Sequence, residues 1–382
     1  MSEDSKLYPT PDDFRLDEPV FSGELVDVQE YFVKNQWTDG LPIIPPTRDL
    51  VERMLEHCPL GRDVVMGILP PEMREVTPWS VAVNGVMAGC KPEYMPLLIA
   101  ATEAICDPHF RIQDSGATPG WEPQMIISGP NLAAYGLHHG QGAMRSFTRA
   151  NATLGRYLRL AFINLAGLRP APGETDKACI GMNFQIALAE DEESTVRLGW
   201  QTLRAENGFA HEDTVVAVQS VMGSTLPIYT GGAEPEPHLQ VLAEHISGFE
   251  GHWSFLGVMF NLWTPLLVMS PGVAQVFSRS GMSKADVAQE LAARSLVPAS
   301  HWKTYPHVVG LDGFDLDEMV EAGQAPDRYG PVSDPGRLVP TIRHPESLAI
   351  VLAGDPGRNQ SRYLPNNHEH GPRIVVKVRP TL

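Results

Sequence analysis

The apolar positions of this 382-residue chain recur with two different periods, and the points where one gives way to the other predict its elements. From Gly23 the period is helical, with Leu25, Val28, Tyr31 and Phe32 on one face, and it runs out near Gln36. Three prolines and an Asp-Gly pair in 37–47 forbid a helix there and predict a stiff extended loop. Thr47 can then cap a helix carrying Leu50, Val51 and Leu55. Thr77-Pro78 starts a helix through Val86 that Gly89 can end, and Lys91-Pro92 starts a second one reaching Cys106. Met125-Ile126-Ile127, stopped by Ser128-Gly129-Pro130, has the length and punctuation of a strand. A glycine-broken polar loop over 136–142 follows, and then a helix with Leu154, Leu158, Ala161, Phe162 and Leu165 in one stripe.

Further apolar runs at 180–188, 214–221, 266–269, 348–353 and 374–378 read as strands, and the acidic run 190–193 reads as the solvated start of a helix. Strands interleaved with helices predict an α/β fold, a mixed sheet flanked by helices, with an N-terminal helical subdomain. The expected divisions are an extended arm over 1–22, the helical subdomain over 23–110 and the α/β domain over 111–382. Three strands stop at Gly/Pro/Ser turns, at Ser128, Ser270 and Gly354, a pattern that predicts strand ends converging on one cleft.

Composition narrows the class. A formal net charge of −17 argues against nucleic acid or an anionic membrane as partner. The N-terminus has no apolar core of the kind a secretory signal needs, and the most apolar stretch, 255–269, is broken by Gly257, Asn261 and Pro265, too short to span a bilayer. Cys58, Cys90, Cys106 and Cys179 form no CxxC, which fits a reducing compartment and predicts a cytoplasmic protein. An oligomeric assembly is expected.

Candidate chemistry clusters around 124–177. Arg149, Arg156 and Arg159 share a face of their helix, next to loop glycines and Asn151; such a strand, loop and guanidinium-bearing helix can cradle a small anion. Arg149, Asn151 and Arg156 are the expected anion ligands, with Asp39 as a wall and His138, His139 and the Gly354 turn around the same pocket. The alternative is that the arginines only solvate a surface helix. Cys90 falls between two helices beside Lys91, where the helix dipole and a cation would favour a thiolate, so it is the candidate nucleophile or redox thiol. The alternative for Cys90 is a core residue. Lys177, flanked by Asp176, is the candidate for assisting proton transfer. His138-His139 and His368-Glu369-His370 have no spacing specific to a metal, and neither metal nor cofactor is expected.

At Trp37-Thr38-Asp39-Gly40-Leu41-Pro42-Ile43-Ile44-Pro45-Pro46-Thr47 and Val86-Met87-Ala88-Gly89-Cys90-Lys91-Pro92-Glu93-Tyr94 the chain resembles the larger proteins of the UGSC-like group. The likeness extends through 149–159, Asp176-Lys177-Ala178, Met269-Ser270-Pro271, 283–287 and Ala353-Gly354-Asp355-Pro356-Gly357. The resemblance implies a small partner protein bearing a selenocysteine or cysteine followed by Gly-Ser-Cys, and thiol-based or reductive cleavage of a small metabolite. This chain has no Cys-Gly-Ser-Cys of its own. Two functions therefore stand: an enzyme or enzyme subunit using Cys90, or a non-catalytic subunit that presents the metabolite to a thiol- or selenol-bearing partner.

Overall fold

The computed structural model describes residues 18–145, 147–170, 175–251, 253–334, 336–367 and 371–381. Most of the expected arm over 1–22 and the His368-Glu369-His370 motif lie outside the described residues. Helices α1 (Leu25–Lys34), α2 (Arg48–Leu55), α3 (Pro78–Ala88) and α4 (Met95–Cys106) lead into strand β1 (Glu122–Ser128). Helix α5 (Arg149–Ala161) and strands β2 (Leu188–Ala189) and β3 (Val215–Val221) follow. The chain continues through β4 (Ile228–Tyr229), α6 (Pro235–Glu250), β5 (Leu266–Met269), α7 (Pro271–Arg279), α8 (Lys284–Arg294), β6 (Ala349–Leu352), β7 (Gln360–Leu364) and β8 (Ile374–Lys377).

The fold is of the expected α/β class, with mixed sheets flanked by helices. These eight strands form two four-stranded sheets, ordered β8-β3-β1-β2 and β4-β7-β5-β6. β1 is parallel to β2 and antiparallel to β3, and β5 is likewise parallel to β6 and antiparallel to β7. The registers coincide as well. Ile127 pairs with Ala189 and Val216, and Met269 pairs with Leu352 and Ser361. Beyond the strand ends, Glu190 N donates to Ile127 O as Ala353 N donates to Met269 O, and Val378 N donates to Thr214 O as Thr230 N donates to Asn359 O. The molecule thus holds two copies of one unit, and each copy passes its last strand to the other: β4 follows β3 yet pairs with β7, while β8 follows β7 yet pairs with β3.

Period-two alternation explains how the layers stack. Met125 and Ile127 face the helices of the first sheet while Ile126 faces inward, and Leu267 and Met269 face α6, α7 and α8 while Leu266 and Val268 face inward. Ile126, Leu188, Ala217, Leu266, Val268, Ala349 and Val351 form one core between the two sheets. The result is four layers: helices, sheet, sheet, helices. Helices α3 and α4, from the expected N-terminal subdomain, and α5, from beyond it, supply the first layer and share one core with Met125, Ile127, Val216 and Val218.

Some local expectations change. Lys91-Pro92 opens a single 3-10 turn, Pro92–Tyr94, before α4 begins at Met95. Of the run 180–188 only Leu188 joins the sheet, together with Ala189. The acidic run does start a helix, Glu192–Arg197, with Asp191 capping Ser194 N at 2.9 Å, but it is not solvated throughout. Glu190 is buried, accepting from Ser128 Oγ at 2.6 Å and from Leu203 N at 2.9 Å, with Lys284 Nζ of the second unit 3.5 Å away. Among the described residues no helix is long and apolar enough to cross a membrane.

Candidate functional site

A cleft of about 610 Å³ opens at the amino end of β1. Its walls are the end of α1 with residues 36–40, the segment 115–122, the end of α5, and the segment 176–183. Its floor rests on three edge-to-face aromatic rings, Phe110, Trp121 and Phe162. Phe162 begins a π-helical turn, Phe162–Ala166, that extends α5 and turns Ile163 toward the cleft. Such turns recur at functional sites, where they re-aim side chains without ending the helix.

The segment 175–179 is held in place by its backbone. Lys177 N donates to Gly116 O at 2.9 Å and Cys179 N to Thr118 O at 3.1 Å. Gly120, with φ +64, lets this segment approach closely, since a Cβ there would stand 2.5 Å from that of Ala178. In extended backbone alternate residues face opposite ways, so Asp176 and Ala178 line the cleft while Lys177 and Cys179 are exposed outside it. The candidate proton-transfer residue Lys177 therefore stands outside the cleft, and the titratable side chain of this segment that lines it is Asp176.

Four acids and four arginines form three separate groups of ion pairs in and beside the cleft. Arg159 Nη1 donates to Glu122 Oε1 at 3.2 Å and its Nη2 lies 3.7 Å from Asp176 Oδ2. Arg169 Nη1 donates to Glu72 Oε1 at 2.7 Å and its Nε to Gln36 O at 3.3 Å, and Arg74 pairs with Glu72 from the other side. Arg156 grips Asp39 with two bonds, Nε to Oδ2 at 2.9 Å and Nη2 to Oδ1 at 2.8 Å. Glu122 is 7% exposed, and burial pushes its carboxyl up to about 7; Arg159 pulls it down, and the Asp176 charge adds to the rise. Asp39 goes the other way: burial raises it, but Arg156 and the Leu41 amide together hold it below its ordinary value.

The residues expected to bind an anion do other work. Arg156 reaches the carbonyls of Leu41 and Pro42 at 3.3 and 2.9 Å besides Asp39, so it ties the proline-rich loop to α5 and is not an exposed ligand. Asn151, 1% exposed, accepts from His138 N and Thr148 Oγ1 and donates to His138 O and Ala187 O, which occupies both ends of its amide. Arg149 is exposed, with Nε donating to Gly89 O at 2.9 Å. Cys90 sits at the expected junction but is buried, with Sγ donating to Thr153 O at 3.4 Å. Burial pushes its thiol up to about 12 against the bond to Thr153 and the charges of Arg149 and Arg156, so the helix start and Lys91 do not create the expected thiolate.

The strand ends do converge. Asp191 N donates to Leu352 O, Gly354 N donates to His139 O, and His139 Nδ1 lies 3.7 Å from Asp191 Oδ2. His138 Nε2 lies 2.8 Å from Gln141 O. These contacts join the strand ends there, and the cleft lies at the opposite end of β1. Asp39 is in its walls, whereas Cys90, Lys177, Arg149, Asn151, Arg156, His138, His139 and Gly354 are not. Sequence reading passed over Glu122 and Arg169. Glu122 carried one signal, a carboxylate opening an apolar strand next to tryptophan.

Among the described residues no three or more His, Cys, Asp or Glu side chains are grouped to hold a metal ion. Compared with models of protein families, with characterised proteins and with solved structures, the chain matches none of them.

Proposed function

We propose that this chain is an enzyme, or the substrate-holding subunit of one, that takes a small anionic metabolite into the cleft at the amino end of β1 and exchanges a proton with it through Glu122. The observation that carries the reading is one buried carboxyl group on a cleft wall with its midpoint near 7. A proton carrier works best when its own pKa lies near the working pH, and desolvation beside a single guanidinium is a common way to bring a carboxylate there. Arg159 orients Glu122, and Asp176 keeps Arg159 from neutralising it fully.

A second reading keeps the chain as a holder of substrate for a thiol- or selenol-bearing partner, the association the UGSC-like resemblance implies. One observation favours it. Ile180 and Met182 on the cleft rim are 95% and 52% exposed, an apolar edge suited to a partner's approach, while Cys90 is buried away from the cleft.

Metabolite profiling separates the two. Wild type and Glu122→Gln are incubated with a mixture of small organic acids, with and without dithiothreitol as a surrogate thiol, and consumption is followed by mass spectrometry. The first reading expects consumption by wild type without added thiol, reduced at least tenfold in Glu122→Gln. Consumption only with dithiothreitol, unaffected by the substitution, would establish the second.

A further inference from the structure

The proposed proton carrier also bears on what the cleft recognises, and the following rests on the reading of that cleft as the substrate site. With every group ionised, the acids Asp39, Glu72, Glu122 and Asp176 balance Arg74, Arg156, Arg159 and Arg169, so the set is neutral. A neutral set has little attraction for an anion, and both terminal nitrogens of Arg159 are directed at carboxylates. Protonation of one acid changes both conditions: it uncovers one positive charge and releases one edge of a guanidinium.

Three of the four acids have more than one cationic or hydrogen-bonding partner. Asp39 has the two-point grip of Arg156 together with Gln185 Nε2 at 3.1 Å and Leu41 N at 3.3 Å. Glu72 lies between two arginines, and Asp176 accepts from Ala178 N at 3.1 Å. Among the described residues Glu122 accepts one hydrogen bond, from Arg159 at 3.2 Å. Of the other charged groups on the surrounding segments, Arg111 pairs with Asp114 at 2.7 Å, and Lys34 and Lys177 are exposed outside the cleft lining. Gln36 also lines the cleft, and its amide oxygen has no hydrogen-bond partner among the described residues. A buried acceptor of this kind calls for a donor on the ligand.

We infer that the cleft binds a small hydroxycarboxylate together with one proton: the ligand's carboxylate takes the edge of Arg159 that Glu122 gives up on protonation, and its hydroxyl donates to Gln36. The proton comes from solvent and stays on the Glu122 carboxyl, and no covalent bond to the ligand changes in this step. Binding restores neutrality, because one proton and one anion enter together. The position of Glu122's midpoint near 7 means the proton is available under ordinary conditions.

The test is a ligand-observed NMR titration of the full chain with glycolate, acetate and tetramethylammonium between pH 6 and 8.5. Glycolate affinity is expected to fall about tenfold per pH unit above 7, the slope of one linked proton. Acetate, lacking the donor for Gln36, is expected to bind at least fivefold more weakly, and tetramethylammonium not at all. Glu122→Gln should bind glycolate with a flat pH profile, and Arg159→Gln should lose binding tenfold or more. Should Arg159→Gln fail to fold, Arg159→Lys serves instead, with weaker binding that keeps the pH slope. Absence of saturable glycolate binding, equal affinity at pH 6 and 8.5, or preference for the cation would overturn the inference. Its failure is separable from that of the proton-transfer reading: a flat wild-type profile with consumption lost in Glu122→Gln removes only the linkage. A sloped profile with consumption retained in Glu122→Gln removes only the catalytic role.

Discussion

Glu122 is destabilised by burial more than Arg159 compensates, and the imbalance has a thermodynamic signature. Its folded value of about 7 stands above the ordinary 4.5, so the folded state holds the proton more tightly than the unfolded chain does. The contribution to stability is therefore fully present below pH 4.5 and is lost as pH rises through 7. In urea unfolding, the stability of Glu122→Gln relative to wild type should rise by about 1.4 kcal/mol per pH unit across that window and level off above it. Parallel stability curves for the two proteins from pH 5 to 8 would show that Glu122 titrates normally. At this scale sequence reading came within one residue of the site at Asp176 and Lys177, because which neighbour points inward depends on the pairing of 175–179 with 116–118, set by tertiary contacts. Cys90 was rightly placed between two helices. Its burial depends on α5 lying across the junction, which local sequence does not encode.

Helix α5 and the segment that follows it meet at Gly155. A Cβ there would overlap the backbone of Gln185 and Ile186, and Ile186 O also accepts from Gln124 Nε2 at 2.8 Å, so this segment is clamped between helix and sheet. Gly155→Ala should cost about 1–3 kcal/mol by thermal unfolding, and it should raise hydrogen exchange in 176–187, the cleft wall that hangs from this contact. A variant as stable as wild type, with unchanged exchange, would mean the clamp does not position the wall. Helices were the legible elements, since α3, α5 and α8 announce themselves by caps and stripes. Helix α6 was legible too and was missed, with Leu239, Leu242, Ala243 and Ile246 at helical spacing. Strand β7, Gln360–Leu364, was not, because its mixed composition becomes a strand only between β4 and β5.

The duplicated unit is invisible as sequence identity because the two copies share register and little else. Its structural consequence is that neither copy has a complete sheet made only of its own strands. The link between β3 and β4 carries Leu226, 80% exposed, and a protease site placed after it should be cut readily. The two fragments are expected to co-elute on size exclusion after cleavage and to part only in denaturant, since each contributes a strand to the other's sheet. Fragments that separate under native conditions would show the exchange to be dispensable.

The same exchange has a counterpart in separate subunits. One copy alone, taken with its departing strand, would lack a sheet edge and carry a spare strand to fill another's, which is the geometry of a homodimer that trades arms. Joining two such subunits end to end would yield this order of strands without rearrangement, with a matching amino end of the first strand in each copy. The first copy's version of that place holds Glu122; at the corresponding position of the second stands Thr264, 8% exposed, with its amide bonded to Asn366. The two copies therefore differ at this place, one bearing a titratable group and the other closing the core.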